Sequence, residues 1–321
     1  MICRRGLLAA CAFACAACGP PPAEPLPPDS FAFGVFGDGP YYPWEQGRYH
    51  RVLADVARTD IAWLIHVGDL FWYPCSDAQY ALRARELAEL PHPVVYTPGD
   101  NEWTDCHDLR PGRYDPLDRL ALLRRVFFAR PTFSTGTPRL ALETQASEPA
   151  FAEFGENARW RRGGFVFATV HLVGSRNGMD PFEGRTAASD AESERRMRAA
   201  VAWTEQTFDS ARASGARGVV LAFHAEIGLD STYNSRRGYE PFITELQRQA
   251  ATFPGPVVAI HGDSHQERVD QTLTDASGRA LANFTRIETF GSPEIGWLRI
   301  VVDTVAGRIV RVEPRRMRGW W

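Results

Sequence analysis

The chain has 321 residues, with 36 basic against 39 acidic side chains, a formal net charge of −3, 44% hydrophobic content and 12% aromatic content. That balance offers no basic footprint for nucleic acid, and the length supports one large layered domain with a full core. Every basic residue is arginine, which excludes Schiff-base lysine chemistry and the lysine of a phosphate-cradling P-loop.

Arg4 and Arg5 precede the apolar stretch Gly6–Ala17, which is too short to span a bilayer but suits the core of a signal peptide. Cys18 follows Ala16-Ala17 and precedes Gly19 and a proline-rich run from Pro20 to Pro28, an arrangement that resembles the lipobox of a bacterial lipoprotein. Leu8-Ala9-Ala10-Cys11 fits the lipobox letters better but leaves a very short apolar core, and ordinary cleavage after Ala-x-Ala without a lipid is the alternative. The expected organisation is a signal peptide over 1–18, a stiff Pro-rich tether over 19–30 and one domain over 31–321. The protein is then exported, periplasmic or on the outer surface, and touches the membrane only through a lipid at Cys18.

Short, β-branched or aromatic runs predict buried strands at Phe31–Phe36, Ile61–Val67, Val94–Thr97, Gly218–Phe223 and Val257–Ile260. Helical spacing over Tyr49–Arg58 and Asp77–Leu90, between the first three strands, gives the βαβ rhythm of a right-handed crossover. Gly39 to Trp44 cannot be helical and forms a loop over the first motif. Leu117–Phe128, Asp190–Ala213 and Tyr239–Phe253 read as further helices, and Arg162–Leu172 as a strand. The polar segment Ala129–Trp160 reads as a cap or an excursion beside the site. Ala280–Thr289, Trp297–Asp303 and Ile309–Val312 are expected as hairpin strands closing a second sheet.

Five motifs fall where strands run out: Gly37-Asp38, Gly68-Asp69, Gly99-Asp100-Asn101-Glu102, His224 and His261-Gly262-Asp263-Ser264-His265. Ligands of open α/β sheets gather beyond the carboxyl ends of the strands, so these groups predict one metal site. Cys75 and Cys106 each come six positions after a motif aspartate, and a disulfide between their loops is expected; two free thiols or a metal pair are the alternatives. Trp44, Trp72 and Trp103 lie in the motif loops, either lining a groove or packing. His171 and Arg176 either contact substrate or serve structure, and His50, His66, His92 and His107 have bland readings.

The order Asp, Gly-Asp, Gly-Asn-His-Glu, His, Gly-His-x-His resembles that of the calcineurin-like metallophosphoesterases, and residues 31 to 312 follow it. The resemblance implies an α/β fold, a four-layer αββα sandwich of two mixed β-sheets flanked by helices, hydrolysing phosphate esters. It implies two divalent or trivalent ions (Mn, Fe, Mg or Zn) and a metal-bridging hydroxide that attacks phosphorus. Carried over, Asp38 binds the first metal, Asp69 bridges both, His265 completes the first set and His224 serves the second.

Three departures stand out. Pro40 occupies the place of a usual histidine, and the tyrosine that purple acid phosphatases, a branch of the family, carry three residues after the bridging aspartate is here Trp72. The first metal is then weaker, or water fills the gap, or Tyr41 reaches in. Gly99-Asp100-Asn101-Glu102 aligns in two ways. Without a shift Asp100 is the ligand and Asn101 replaces the proton donor; with a one-residue shift Asn101 is the ligand and Glu102 the catalytic acid, the preferred reading because it keeps both roles. Asp263 replaces an imidazole, which makes the site harder, and His261 is a second candidate for the lost ring. The competing function is a metal-binding cell-envelope lipoprotein without turnover. A serine hydrolase is disfavoured by the lack of a Gly-x-Ser-x-Gly elbow.

Overall fold

In a computed structural model, residues 20–229 and 236–319 are described. The proposed leader and Cys18 lie outside them. Two mixed sheets stack face to face with helices on both outer faces, giving the four layers α/β/β/α. The first sheet has strand order β12-β11-β1-β2-β3, the second β4-β5-β6-β7-β8-β10-β9, where β9 is the edge strand Arg268–Asp270.

In the first sheet β1 (Ser30–Phe36), β2 (Leu64–His66) and β3 (Val94–Tyr96) run parallel. Helices Gln46–Arg58 and Asp77–Ala88 connect them, as the spacing predicted. Helix Pro116–Phe127 follows, with Asp115 as N-cap accepting from the Leu117 and Asp118 amides. In the second sheet β6 (Phe165–Thr169), β7 (Gly218–Ala222), β8 (Val257–His261) and β10 (Phe284–Glu288) are parallel. They are covered by helices Ala187–Ala213 and Glu240–Thr252.

Between the sheets, Phe33, Val35, Trp63, Ile65 and Val67 meet Phe167, Val220, Ile260 and Ile287. Strands buried on both faces explain why the sequence shows continuous apolar runs rather than alternation.

Two expectations change. The C-terminal strands do not close a second sheet together: β10 extends it, whereas β11 (Gly296–Asp303) and β12 (Arg308–Arg316) add to the first sheet, β11 antiparallel beside β1. A buried bidentate pair holds β12 there, Arg315 Nε and Nη2 lying 2.7 and 2.9 Å from the Asp55 carboxylate, which also accepts from Trp297 Nε1. Residues 129–160 are no cap over the site. They carry β4 (Glu143–Thr144) and the start of β5 (Ala158–Arg162) at the far edge of the second sheet.

The Pro-rich segment is docked rather than a free spacer over its described part. Glu24 pairs with Arg311, its carbonyl accepts from Arg299 at 3.0 Å, and Leu26 packs on the outer core of the first sheet. Cys75 and Cys106 form a disulfide with a Cα–Cα distance of 5.8 Å, as expected, in accord with an oxidising compartment. No helix among the described residues is long and apolar enough to cross a membrane.

Candidate metal centre

The parallel strands β1, β2, β3, β7 and β8 end at one rim, and their next residues deliver the motif side chains there. Asp38, Asp69 and His224 form one buried group whose offered ligand atoms lie within 4.8 Å of one another; Asp100, His224 and Asp263 form a second. The two groups share His224. Its Nε2 lies 2.9 Å from Asp100 Oδ1, 3.5 Å from Asp69 Oδ1 and 3.8 Å from Asp263 Oδ1.

Backbone carbonyls set both imidazoles. His224 Nδ1 lies 2.9 Å from the Val67 carbonyl and His265 Nδ1 lies 2.7 Å from the Ser292 carbonyl. A carbonyl only accepts, so Nδ1 carries a proton and each Nε2 is turned toward the carboxylates, the orientation metal-ligating histidines adopt. His265 Nε2 is 3.7 Å from Asp38 Oδ1.

The glycines of the motifs are steric necessities. A Cβ on Gly99 would fall 2.1 Å from Asp69 Oδ1, and one on Gly262 would fall 2.0 Å from Asp38 Oδ2. Asp38, Asp69, Asp263 and His265 themselves have φ between 56° and 73°, a left-handed conformation that non-glycine residues rarely hold. Such strain concentrates where surrounding structure over-determines a site, and here it falls on four of the predicted ligands.

Burial, together with the neighbouring carboxylates, raises the pKa of Asp38 and Asp69 well above the ordinary carboxylate value, and burial and Asp100 push Asp263 to about 7. Burial disfavours the charge on His224, but Asp69, Asp100 and Asp38 outweigh it and hold its pKa well above the usual. At Asp100 the bond and charge of His224 overcome burial and lower the value. Asp38 Oδ2 is buried and accepts no hydrogen bond among the described residues. Buried carboxylates crowded around neutral-capable imidazoles, with one oxygen unpartnered, fit a hard or borderline cation.

Tyr41 does reach in: its Oη donates to Asp69 Oδ2 and lies 3.3 Å from His265 Nε2. Burial and the charges of Asp69 and Asp38 raise the phenol pKa, so the hydroxyl keeps its proton. Pro40 is buried beside it without a ligand atom.

The geometry favours the unshifted alignment, against the sequence preference. Asp100 reaches His224, whereas Asn101 donates through its backbone N–H and Nδ2 to Asp69, at 3.1 and 2.5 Å. Glu102 is fully buried, and burial raises its pKa as a catalytic acid would require. Its oxygens nevertheless accept from the Leu70 and Gly99 amides at 2.5 and 3.0 Å, so the expected proton donor braces the loops of Asp69 and Asp100 instead. His261 also turns away, with Nδ1 on the Gly262 carbonyl and its ring stacked on Phe223.

His171 is buried on Glu156, and Arg176 pairs with Asp180, so neither is among the clustered ligand atoms. Trp103 is buried and packs on His171. His107 stacks on Phe182.

Sequence reasoning missed the turn Gly174–Gly178 as a support. Ser175, Arg176 and Asn177 all have φ between 49° and 59°, and Ser175 Oγ lies 3.0 Å from Asp100 Oδ2 and 2.8 Å from Asp105 Oδ1. Buried Arg196 holds the turn through Asn177 and is itself paired with Glu192. The non-glycine letters of the turn carry no signal of its hand.

No family model matches the sequence, and no curated protein matches it. Among solved structures, the chain is similar to that in the crystal structure of TT1561 of Thermus thermophilus, at 12% identity and a TM-score of 0.43, covering 90% of this chain and 99% of that one. A likeness of that size says nothing of activity.

Proposed function

We propose that the protein is a metal-dependent hydrolase of phosphate esters, working through a two-cation centre. The observation that carries this reading is the pair of carbonyl-tethered imidazoles, His224 and His265, whose Nε2 atoms face Asp38, Asp69, Asp100 and Asp263. Asp38, Asp69 and His265 would hold the first cation, and Asp69, Asp100, His224 and Asp263 would hold the second. When bound, the cations supply Lewis-acid activation of water and of the phosphoryl oxygens.

The chain's own groups do the rest. Asn101 Nδ2 and Tyr41 Oη steady Asp69, and the Ser175 turn steadies Asp100. Glu102 fixes the spacing between the two aspartate loops through backbone amides. Asn101 is no acid, so a departing alkoxide takes its proton from solvent. The disulfide and the N-terminal sequence support an exported protein, and we assign the lipid anchor to Cys18 on its sequence context alone.

The test is turnover of a generic phosphomonoester and phosphodiester by leaderless protein, stripped with chelator and titrated with Mn²⁺, beside Asp69→Asn. Metal-restored hydrolysis that the variant lacks is the expected result. Bound metal without hydrolysis of either ester overturns it in favour of a metal-binding envelope protein.

A further inference from the structure

The sequence motifs end at His265, yet the structure brings a further segment to the rim. Strand β10 runs parallel to β8 with Glu288 opposite His261, and the residues after it, 289–292, pass beside the His265 imidazole. A Cβ on Gly291 would fall 2.3 Å from His265 Cδ2, and the Ser292 carbonyl takes the Nδ1 proton at 2.7 Å. The ring therefore has main chain pressed against it and one nitrogen tied down.

Two buried carboxylates fix this segment, one at each end. Glu288 Oε1 accepts from Ser264 Oγ and, at 3.0 Å, from the Gln266 N–H, so it grips both neighbours of His265. Its Oε2 accepts from Arg268 Nε at 2.7 Å. Glu45 accepts from Ser292 Oγ at 2.7 Å and from the Tyr41 N–H at 2.8 Å, and the Ser292 N–H donates to the Asp38 carbonyl at 2.9 Å. Neither glutamate belongs to the clustered ligand atoms. Asp263 and His265, on either side of Ser264, hold the left-handed conformation that a free loop would leave, and the donors converging on Glu288 keep them there.

Granted the two-cation reading above, we propose that Glu288 is a positioning residue for the first cation. It touches neither the ion nor the substrate, and it sets the ion's affinity by holding His265 Nε2 toward Asp38. Removing a group that orients a metal-ligating side chain typically weakens metal binding 10- to 100-fold. The position requires a carboxylate. Gln266 N–H and Arg268 Nε can only donate, and they approach different oxygens, so a glutamine would turn its own NH₂ against one of them.

The test is calorimetric Mn²⁺ titration of the chelator-stripped full chain beside Glu288→Gln, Ser264→Ala and Asp55→Asn. Asp55→Asn breaks a buried pair that holds β12, contributes no candidate ligand, and so reports what lost stability alone does. The parent should show two binding steps. In Glu288→Gln one step should weaken 10- to 100-fold while the other stays within about twofold. Ser264→Ala should weaken the same step by less, and Asp55→Asn should change neither. A second readout needs no metal: in proton–nitrogen correlation spectra of the chelated protein, His265 keeps its Nδ1 proton in the parent and exchanges between tautomers in Glu288→Gln. Parental affinity in Glu288→Gln, equal weakening of both steps, or the same weakening in Asp55→Asn would overturn the proposal. Should Glu288→Gln fail to fold, Ser264→Ala decides, and unchanged affinity there overturns it. A parent that binds no Mn²⁺ ends the two-cation reading and this proposal with it. A parent that binds two ions and hydrolyses neither ester ends only the hydrolase reading, and the binding steps still decide Glu288.

Discussion

Asn in place of Asp263 should stabilise the chelated protein at neutral pH, and metal should take back most of that advantage. Asp263 has a pKa pushed to about 7 by burial and Asp100, against 3.8 for the free group, which corresponds to about 4 kcal/mol of lost stability. The folded chain binds this proton more tightly than the unfolded one. The penalty is therefore full above pH about 7, shrinks as pH falls from about 7 toward 3.8, and is absent below.

Asparagine removes the charge, keeps an oxygen for the Glu226 N–H that Asp263 Oδ2 accepts at 2.8 Å, and tolerates φ of 73°. Chelated Asp263→Asn should then melt up to about 6 °C above the parent at pH 7.5, taking about 1.5 °C per kcal/mol for a chain of this size, and the gap should shrink as pH falls and close below about pH 3.8. Mn²⁺ at a hundredfold excess over Kd should narrow the gap to about 1 kcal/mol, because the parent gains about 2.7 kcal/mol while the variant has lost a candidate ligand. The assay is circular-dichroism melting across pH with and without metal. A variant that is less stable than the parent under chelation at pH 7.5, or a gap indifferent to pH, would refute the reasoning.

Three further outcomes are expected. Arg196→Ala leaves Glu192 buried and alone and frees the Asn177 turn, costing about 3–5 kcal/mol in urea unfolding, whereas Arg198→Ala, from an exposed pair, costs less than about 1 kcal/mol. Replacing Cys75 and Cys106 by alanine opens the cross-link between residues 31 apart and costs about 3.5 kcal/mol by the same assay. Glu102→Gln loses an amide bond at a buried site and destabilises by about 1–3 kcal/mol, yet the alkaline limb of the pH–rate profile stays where it was; loss of that limb would restore Glu102 as the acid.

The buried strands were legible because burial on both faces leaves continuous apolar runs, and the Gly99 and Gly262 steps because a carboxylate lies against each of those glycines. What escaped depends on non-local pairing. Nothing in the periodicity of residues 296–316 says that β11 lies beside β1, since the Asp55–Arg315 pair that fixes β12 joins residues 260 positions apart. Glu102 has the letter of an acid, and only the placement of the Leu70 and Gly99 amides reveals its role as a brace. Tyr41 was one of three open answers to Pro40 because reach across a loop is not written in spacing. Arg196 sat unremarked in a charged helix, because its burial comes from the left-handed turn packed against it.

The candidate ligands come from both layers: Asp38, Asp69 and Asp100 follow strands of the first sheet, and His224, Asp263 and His265 follow strands of the second. A cation there acts as a rivet through two plates. Sliding one sheet over the other by a fraction of a side chain leaves most of the apolar interior packed but pulls the ligand halves out of register. Core substitutions along the mid-plane, such as at Phe167 or Ile65, should therefore weaken metal affinity before they weaken the fold, and metal binding should slow amide exchange in both sheets together.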